Sequence, residues 1–410
     1  MRVIGLDIHR TFAQVAILED GKPQDHGRFN MDREAVLGFA TKVLRRDDDV
    51  VVEATGNTAA IVRLLLPYVH RVVIANPLQV RAIAWAKVKT DKIDAATLAR
   101  LHAAGFLPEV WMPTEEVELQ RRVIAERTQL VSQMTRLKNR IQSILHANLL
   151  PRETGRVYSA NGRTRLKLLP LPADQMRTAL RHHDELQRLA SELAIVDRQL
   201  AQRALNDPDV QRLMTIGGVN AVVAASVLAA IGDIHRFSGP DKLVSYLGLN
   251  PSVHQSGDHP AFHGHITHQG RGHARGMLVE AAWTLSSSPG PLSAFFHRIS
   301  IKRGKQVAAV ATARKLAVLI WHMLTKEQDY AWTRPALLQF KIRALQLTAG
   351  YESRRGGKKP GPARDYSLKA VRDRERAWLV GVEQEYRCFV ANWKDRPPSP
   401  RKPSSKEGQT

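Results

Sequence analysis

Four short apolar runs in the first 110 residues have the length and the turn boundaries of β-strands. They are RVIGLDIH (2–9), FAQVAILED (12–20), DVVVEATG (49–56) and RVVIANP (71–77). The second run ends at an Asp-Gly pair, a strong hairpin signal, so a further strand is expected to follow it. Helical patterns occupy 58–69 and the stretch from Asp91 to about Gly105. Three strands followed by alternating helix and strand predict a mixed α/β domain over residues 1–110.

Heptad-like spacing dominates the next hundred residues. Apolar residues separated alternately by four and three positions predict two long helices within residues 111–208. One seam is Leu130, Met134, Leu137, Ile141 and Ile144, and the other is Leu186, Leu189, Leu193, Val196 and Leu200. A polar segment separates the two. The pattern fits an antiparallel hairpin, a dimerising coiled coil or an ordinary helical bundle, and it does not choose among them.

Residues 209–330 are predicted to form a third, mainly helical domain. It opens with helix, glycine-rich turn and helix over 213–233, where the turn at Gly218 can offer backbone N–H groups to a phosphate. The arrangement resembles a helix-hairpin-helix, although Asn220 stands where that motif usually has its second glycine. A turn-rich stretch with six histidines follows, and its spacing favours turn structure or phosphate contact over a zinc site. The basic extension 331–410 is expected to be partly disordered, with one short helix near 368–385.

The charge of the chain indicates the kind of partner that it binds. The net charge is +22 and the pI about 10.4, yet residues 1–110 hold 15 Lys and Arg against 13 Asp and Glu. The excess therefore lies downstream and predicts a nucleic-acid partner. The basic side chains expected to follow its backbone are Arg121, Arg122, Arg136, Lys138 and Arg140, with a solvated helix face as the alternative.

The single cysteine and the absence of a signal-peptide pattern argue against a secreted, disulfide-rich protein. Cys388 alone excludes a disulfide framework and a cysteine-based zinc site. No apolar run is expected to be long enough to span a membrane. We therefore expect a cytoplasmic, nucleoid-associated prokaryotic protein without a membrane partner.

Four acidic residues occupy the ends of predicted strands and the start of a helix. Asp7 ends the first strand, Glu53 ends the fourth, and Asp91 and Asp94 open the later helix. Taken alone, Asp91 and Asp94 are typical of helix capping. Because the carboxyl ends of adjacent strands meet at one edge of a sheet, all four could converge. Such a cluster favours hard divalent ions, Mg²⁺ or Mn²⁺, in phosphodiester chemistry.

The acidic blocks resemble those of a known family. GLDIH, VVVEATGN and KTDKIDAATLA are similar to the D–E–D–D blocks of insertion-sequence 110 family transposases. YLGLNPSVHQSG and GHITHQGRGHARGMLVEAAW resemble the second conserved domain of that family, so the resemblance spans roughly residues 1–325. It implies a RuvC-like domain of ribonuclease H fold, a coiled-coil middle and a C-terminal transposase domain.

The resemblance also implies an activity and its residues. Asp7, Glu53, Asp91 and Asp94 would be catalytic metal ligands, and Ser256 would be the nucleophile of a recombinase. The implied partners are the DNA of the element ends and target, a structured guide RNA, and further copies of the chain in a dimer or tetramer. One departure is His268-Gln269-Gly270 where relatives often have Lys-Arg-Gly. Arg271 and Arg275 would then supply the positive charge beside the DNA.

The residues are also compatible with functions that do not use Ser256 as a nucleophile. From the residues alone, a Ser-Gly such as that at Ser256 is most often only a turn, and Ser252 and Tyr246 lie close by. A metal-dependent junction nuclease would need the acids without Ser256. A non-catalytic nucleic-acid-binding protein would need neither. A covalent protein–DNA adduct would separate serine catalysis from both.

Overall fold

A computed structural model describes residues 2–84, 90–151, 155–257, 261–352 and 369–392. The chain divides into two compact units, Met1–Thr114 and Glu115–Thr410.

The first unit is built on one five-stranded sheet. Its strands are β1 (Val3–Ile8), β2 (Phe12–Glu19), β3 (Lys22–Asn30), β4 (Asp49–Glu53) and β5 (Arg71–Ala75). Their spatial order is β3-β2-β1-β4-β5. The first three strands pair antiparallel, whereas β4 pairs parallel with both β1 and β5. The prediction of a mixed α/β domain is confirmed, including the hairpin after the Asp-Gly pair.

Helices cover both faces of this sheet. They are α1 (Arg33–Val43), α2 (Thr58–Leu65), α3 (Pro77–Ile83) and α4 (Asp91–Ala103). One core lies between the sheet and α1 and α2, and α4 packs on the opposite face. Gly5 lets α4 approach closely, because a Cβ there would lie 2.0 Å from the Ala95 carbonyl oxygen. This close approach sets the position of the first turn of α4 over the end of β1.

The second unit opens with a pair of long helices. These are α5 (Glu115–Ala147) and α7 (Ala173–Leu205), which run antiparallel, since Arg127 pairs with Asp197 and Asn148 with Gln175. Four of the five residues of the second predicted seam are buried, namely Leu186, Leu189, Val196 and Leu200. Of the arrangements that the heptad spacing allowed, the structure therefore forms the antiparallel hairpin within one chain.

The polar segment between these helices is more structured than its composition suggests. It contains a 3₁₀ turn (Arg156–Tyr158) and the short helix α6 (Gly162–Lys167). Val157 and Leu166 are fully buried in a small core beneath the tip of the hairpin. These two apolar side chains thus anchor the polar segment as a folded cap.

The remaining elements form one helical core with a small β-hairpin on it. They are α8 (Pro208–Met214), α9 (Ala221–Ile231), α10 (Pro240–Tyr246), β6 (Pro251–His254), β7 (Phe262–Ile266), α11 (Gly272–Ser286), α12 (Pro291–Arg303), α13 (Lys305–Thr325), α14 (Pro335–Ala349) and α15 (Lys369–Asn392). Strands β6 and β7 pair antiparallel, although sequence analysis predicted only turns for this stretch.

Helix α13 corrects one expectation about membranes. By length and composition it is apolar enough to cross a bilayer, contrary to the prediction that no such run exists. Half of its most apolar window is buried. Leu316 and Ile320, at most 1% exposed, pack in the core of the second unit. We therefore assign α13 to the protein interior.

The helical core continues past residue 330. Leu345 and Ala349 of α14 are buried in the same core as α9 and α11. Helix α15 begins and ends near the predicted short helix but is longer, and its Leu379 is 4% exposed. The predicted disordered ends, 353–368 and 393–410, lie outside the described residues.

Candidate metal centre and nucleic-acid interface

Parallel pairing of β1 with β4 directs two of the predicted acids to one face of the sheet. Leu6 lies opposite Val52, and both side chains enter the core beneath α1 and α2. Because side chains alternate along a strand, the next residues, Asp7 and Glu53, point to the other face, the one that α4 covers. Asp7 is largely buried there, with 14% of its side chain exposed.

The start of α4 supplies the other two acids. Thr90, not Asp91, is the N-cap, and its hydroxyl accepts a hydrogen bond from the Ile93 N–H at 3.4 Å. The expectation that Asp91 caps the helix is therefore wrong. Asp91 and Asp94 both lie in the first turn, three residues apart and so on one side of the helix. With the capping position taken, the Asp91 carboxylate is available for other contacts.

Asp7 and Asp91 meet at a histidine. His9 Nε2 lies 3.2 Å from Asp7 Oδ2 and 3.4 Å from Asp91 Oδ1. Asp7, His9 and Asp91 can each offer a donor atom within 4.8 Å of the others. Glu53 and Asp94 are outside this three-residue group.

The carboxylates nevertheless influence one another. Burial is the main cause that raises the pKa of Asp7. His9 opposes this effect, and the charges of Asp94 and Asp91 add to it. A carboxyl group held at a raised pKa beside two further acids is electrostatically suited to a cation.

Two residues of this site, His9 and Arg28, were missed by sequence analysis. The Arg28 guanidinium lies 3.3 Å from Asp91, donates to Gln14 Oε1 at 2.9 Å and stacks 4.5 Å above the Phe12 ring. His9 could have been found, since it lies two positions after Asp7 and extended chain returns to the same side every second residue. Arg28 lies on β3, and only the sheet order brings it to this edge.

The donor set fits a divalent ion. Two carboxylates and an imidazole nitrogen bring their donor atoms within 4.8 Å of one another, and that nitrogen is buried. Carboxylate oxygens suit Mg²⁺ and Mn²⁺, whereas imidazole extends the choice to transition metals. This is the one group of three or more metal-ligating side chains within the described parts of the chain.

Ser256 belongs to the second unit and lies on the β6–β7 hairpin. It follows the last residue of β6 by two positions and is exposed. The exposed side chains of Val253 and Phe262 lie on the same hairpin. Residues 258–260 of the connection are outside the described residues. Ser256 is thus accessible to solvent in the connection between β6 and β7.

The side chain of Tyr246, the alternative nucleophile, is held by hydrogen bonds and a stacked arginine. Its hydroxyl donates to the Ala230 carbonyl oxygen at 3.1 Å and accepts from Arg271 Nε at 2.8 Å. The Arg236 guanidinium stacks on its ring at 4.3 Å. Burial by itself would raise the pKa of Tyr246, but Arg271 and the neighbouring guanidinium charges lower it overall. The hydroxyl ties α10 to the carbonyl end of α9.

Two predicted nucleic-acid contacts also bind backbone carbonyls. Arg121 donates to Ala229 and Ala230 oxygens at 2.7 and 3.0 Å, at the negative end of the α9 dipole. Arg275 donates to the Leu247 oxygen at 2.9 Å. Both side chains therefore stabilise the fold, whatever else they contact.

Arg121 and Arg271 line a groove of about 700 Å³ between α5, α9 and the start of α11. Its floor is made of small residues, and its polar lining includes Thr128, Gln129 and His273. Among the residues that the structure describes, no Asp or Glu lines it. His273 Nε2 lies 3.4 Å from Ser226 Oγ, and burial lowers its pKa. A groove with basic but no acidic side chains is suited to a polyanion.

The other basic candidates lie along α5. Arg122, Arg136 and Arg140 are exposed, although Arg122 forms an ion pair with Glu118 at 3.7 Å. Lys138 is half-buried, with Nζ 5.7 Å above the Tyr158 ring. The chain thus presents several cations on one long helix.

The glycine-rich turn at Gly218 has a packing role. A Cβ at Gly218 would lie 2.6 Å from the Ala281 carbonyl oxygen, so the turn needs glycine to pack against α11. Lys341 Nζ donates to three carbonyl oxygens of this turn at 2.7–2.8 Å. Asn220, the departure from the helix-hairpin-helix pattern, is the N-cap of α9 and accepts from the Val223 N–H.

Comparison with known proteins identifies relatives over both units. A family model described as "Transposase" of the DEDD IS110 type matches residues 4–148, and one described as "Transposase IS116/IS110/IS902 family" matches residues 210–297. Together they match more than half of the chain. The DEDD match implies a ribonuclease H-like fold for the N-terminal sheet.

Three relatives illustrate the similarity. A "Probable family 20 transposase" of Pseudomonas aeruginosa is 27% identical over 298 residues, 68% of this chain and 85% of the relative. The "Transposase for insertion sequence element IS1111A" of Coxiella burnetii is 29% identical over 59% of this chain and 68% of its own length. A "Pilin gene-inverting protein" of Moraxella bovis is 25% identical over 68% of this chain and 81% of its own length.

Proposed function

The chain belongs to the IS116/IS110/IS902 family of transposases, which cut and rejoin DNA, and on this premise we propose how it does so. A carboxylate centre on the N-terminal sheet and a serine of the second unit act together in one recombination reaction. The observation that carries the proposal is the meeting of Asp7 and Asp91 on the face of the sheet covered by α4.

Asp7, Glu53, Asp91 and Asp94 hold Mg²⁺ or Mn²⁺ in this proposal. The raised pKa of Asp7 and the four acids on one face support it. A divalent ion there would neutralise the carboxylates and stabilise charge on the reacting phosphate. Arg28, positioned by Gln14 and Phe12 beside Asp91, is suited to contact a strand phosphate next to the centre.

Ser256 is the nucleophile. Its exposed place on the hairpin turn gives a DNA strand access to Oγ. Attack of Oγ on the phosphorus forms a phosphoserine ester and releases the hydroxyl of the cut strand, and attack by the hydroxyl of another strand reverses the step. The two hydrogen bonds of the Tyr246 hydroxyl argue against tyrosine as the attacking group.

The basic surface of the second unit binds nucleic acid. The groove at Arg121 and Arg271 and the exposed arginines of α5 supply charges for the DNA and for a structured guide RNA. Exposed apolar side chains on the long helices, Val131 and Ile195, support assembly of dimers or tetramers. We place the protein in the cytoplasm, where its DNA is.

A covalent adduct assay tests serine catalysis. The purified protein, with its co-purifying RNA, is incubated with nicked DNA, and denaturing electrophoresis is followed by peptide mapping. We expect a DNA-linked peptide containing Ser256. Ser256→Ala should bind nucleic acid normally but lose recombination by at least about 1,000-fold.

Matched variants distinguish the alternatives. Ser252→Ala and Tyr246→Phe should keep substantial recombination. An adduct at Tyr246 would assign the protein to another mechanistic class. Full recombination by Ser256→Ala, with loss in Asp7→Asn, would instead identify a metal-dependent nuclease mechanism without serine.

A further inference from the structure

The imidazole of His9 occupies an unusual place beside Asp7 and Asp91. Its Nε2 is buried and lies 3.2 Å from an Asp7 oxygen and 3.4 Å from an Asp91 oxygen, so it contacts both carboxylates rather than one. A histidine retained only to pair with an acid would orient its N–H along one carboxylate oxygen. Here the nitrogen faces the space that the two carboxylates share.

The ring is held in this orientation by its own turn. The His9 backbone N–H donates to the Phe12 carbonyl oxygen at 2.9 Å, which closes the short connection between β1 and β2. The Phe12 ring lies 4.6 Å from the imidazole ring, tilted by 31°. Contact with the Phe12 ring restricts the imidazole, which reduces the freedom that it loses when it binds an ion.

The spacing of the donor atoms agrees with coordination. Two ligands at right angles about an ion roughly 2.1 Å from each lie about 3 Å apart. The separations of His9 Nε2 from the two carboxylate oxygens, 3.2 and 3.4 Å, are close to this value. All three donor atoms lie within 4.8 Å of one another.

We propose that His9 is a direct metal ligand together with Asp7 and Asp91, and that it shifts the metal preference of the centre from Mg²⁺ toward transition-metal ions such as Mn²⁺ and Co²⁺. The inference rests on the proposed metal centre. A carboxylate set alone accepts Mg²⁺ and Mn²⁺, whereas an added imidazole nitrogen raises the affinity for first-row transition ions relative to Mg²⁺, by more for Co²⁺ than for Mn²⁺. Mg²⁺ gains least, because it prefers oxygen and gives up water reluctantly.

Metal binding to the full-length protein tests this, without reference to recombination. Calorimetric titrations with Mn²⁺, Co²⁺ and Mg²⁺ compare the parent protein with His9→Asn. The control is His26→Asn, since His26 is an exposed histidine of the same unit, on β3. We expect His9→Asn to lose at least about 10-fold in affinity for Mn²⁺ and Co²⁺, with little change for Mg²⁺. About 10-fold is a lower limit, because it is the smaller loss seen when a residue that only supports a metal ligand is replaced.

Pulsed electron paramagnetic resonance of bound Mn²⁺ supplies the direct evidence. Coupling to a ¹⁴N nucleus should be present in the parent and in His26→Asn, and absent in His9→Asn. Unchanged affinities and an unchanged ¹⁴N signal in His9→Asn would overturn the inference. An equal loss for all three ions would also overturn it, because His9 would then only position the acids.

One further variant separates this inference from the proposed function. Asp7→Asn should abolish binding of every ion. If Asp7→Asn binds metal like the parent, the carboxylate centre itself is wrong. If Asp7→Asn does not bind metal and His9→Asn binds every ion like the parent, the carboxylate centre is supported and His9 is not a ligand. Circular dichroism of each variant without metal checks the fold.

Discussion

At the scale of single residues, the buried carboxylate of Asp7 is suited to bind a metal ion but destabilises the metal-free fold. Burial and neighbouring acids raise its pKa above 3.8, so the folded protein disfavours the ionised form. The penalty is present at neutral pH, and it disappears as pH falls through the raised pKa. An ion bound at the centre would remove the same penalty, since it favours the charged carboxylate.

Asp7→Asn is therefore expected to raise the thermal midpoint of the metal-free protein. The variant should also lose the metal-induced rise, which for the parent corresponds to about 2.7 kcal/mol at roughly 100 times Kd. Thermal melts with and without Mn²⁺ measure both effects. Glu34→Gln, an exposed change on α1, is the control. A variant less stable than the parent without metal would contradict the electrostatic argument.

Asp49 is the opposite case within the same unit. Its carboxylate lies 2.9 Å from His70 Nδ1 and 2.8 Å from His102 Nε2, joining β4 to the chain before β5 and to the end of α4. Burial would raise its pKa, but the two histidine hydrogen bonds lower it below 3.8 overall. The stability that it contributes is thus present above the unfolded pKa and is lost as pH falls through the lower, folded value.

Asp49→Asn should destabilise the protein by about 1–3 kcal/mol at neutral pH, because a buried charged acceptor is removed. The difference from the parent should shrink as pH falls below the unfolded pKa of 3.8 and through the lower, folded pKa. Denaturant midpoints across this range measure it. A difference that stays constant into acid would show that packing, not charge, is the source.

At the scale of elements, the approach of α4 to β1 decides whether the acids meet. The Ala95 carbonyl lies where a Cβ of Gly5 would be, so a larger residue must displace the helix. Displacement moves Asp91 and Asp94 away from Asp7. The glycine thus serves the candidate site without contacting it.

Gly5→Ala is expected to cost about 1–3 kcal/mol or more through overpacking, and to weaken metal binding in the protein that still folds. Gly38→Ala is the matched control, since no atom of the described residues lies within 4 Å of a Cβ at that position of α1. It should stabilise the protein by about 0.5–1 kcal/mol. Chemical denaturation and Mn²⁺ titration of both variants test the pair. Normal metal affinity in Gly5→Ala would show that the site tolerates a shift of α4.

At the scale of the whole molecule, charge is unevenly shared. The chain carries +22, and its first 110 residues are nearly neutral. Because condensed counterions are released when cations meet phosphates, binding to DNA should depend steeply on salt. Six to ten phosphate contacts correspond to a loss of about 10³–10⁵ in affinity between about 50 and 200 mM salt.

Arg271→Gln should lower the salt slope by about one, since its exposed guanidinium borders the groove. Arg122→Gln should change the slope less, because Glu118 already pairs with that side chain. Fluorescence anisotropy with labelled DNA over a salt series gives both slopes. Equal slopes in the parent and Arg271→Gln would exclude this groove from the DNA interface.

Elements that have local causes could be predicted from the amino-acid sequence. Apolar alternation, heptad spacing and the Asp-Gly turn fixed the strands and the long helices, because each signal depends on neighbours within a few residues. The same signals placed Asp7 and Glu53 at strand ends and Asp91 and Asp94 in a first helical turn. Local pattern could not separate Thr90 from Asp91 as the cap, since both are good N-cap residues.

Tertiary structure alone decided what these residues contact. Asp7 and Asp91 meet because α4 packs closely over β1 at Gly5. Arg28 joins them only through the order of the antiparallel strands. The orientation of His9 Nε2 toward both carboxylates depends on contacts that span more than eighty residues of sequence. Hydrophobic period records which face is buried, but it holds no information about which distant side chains share that face.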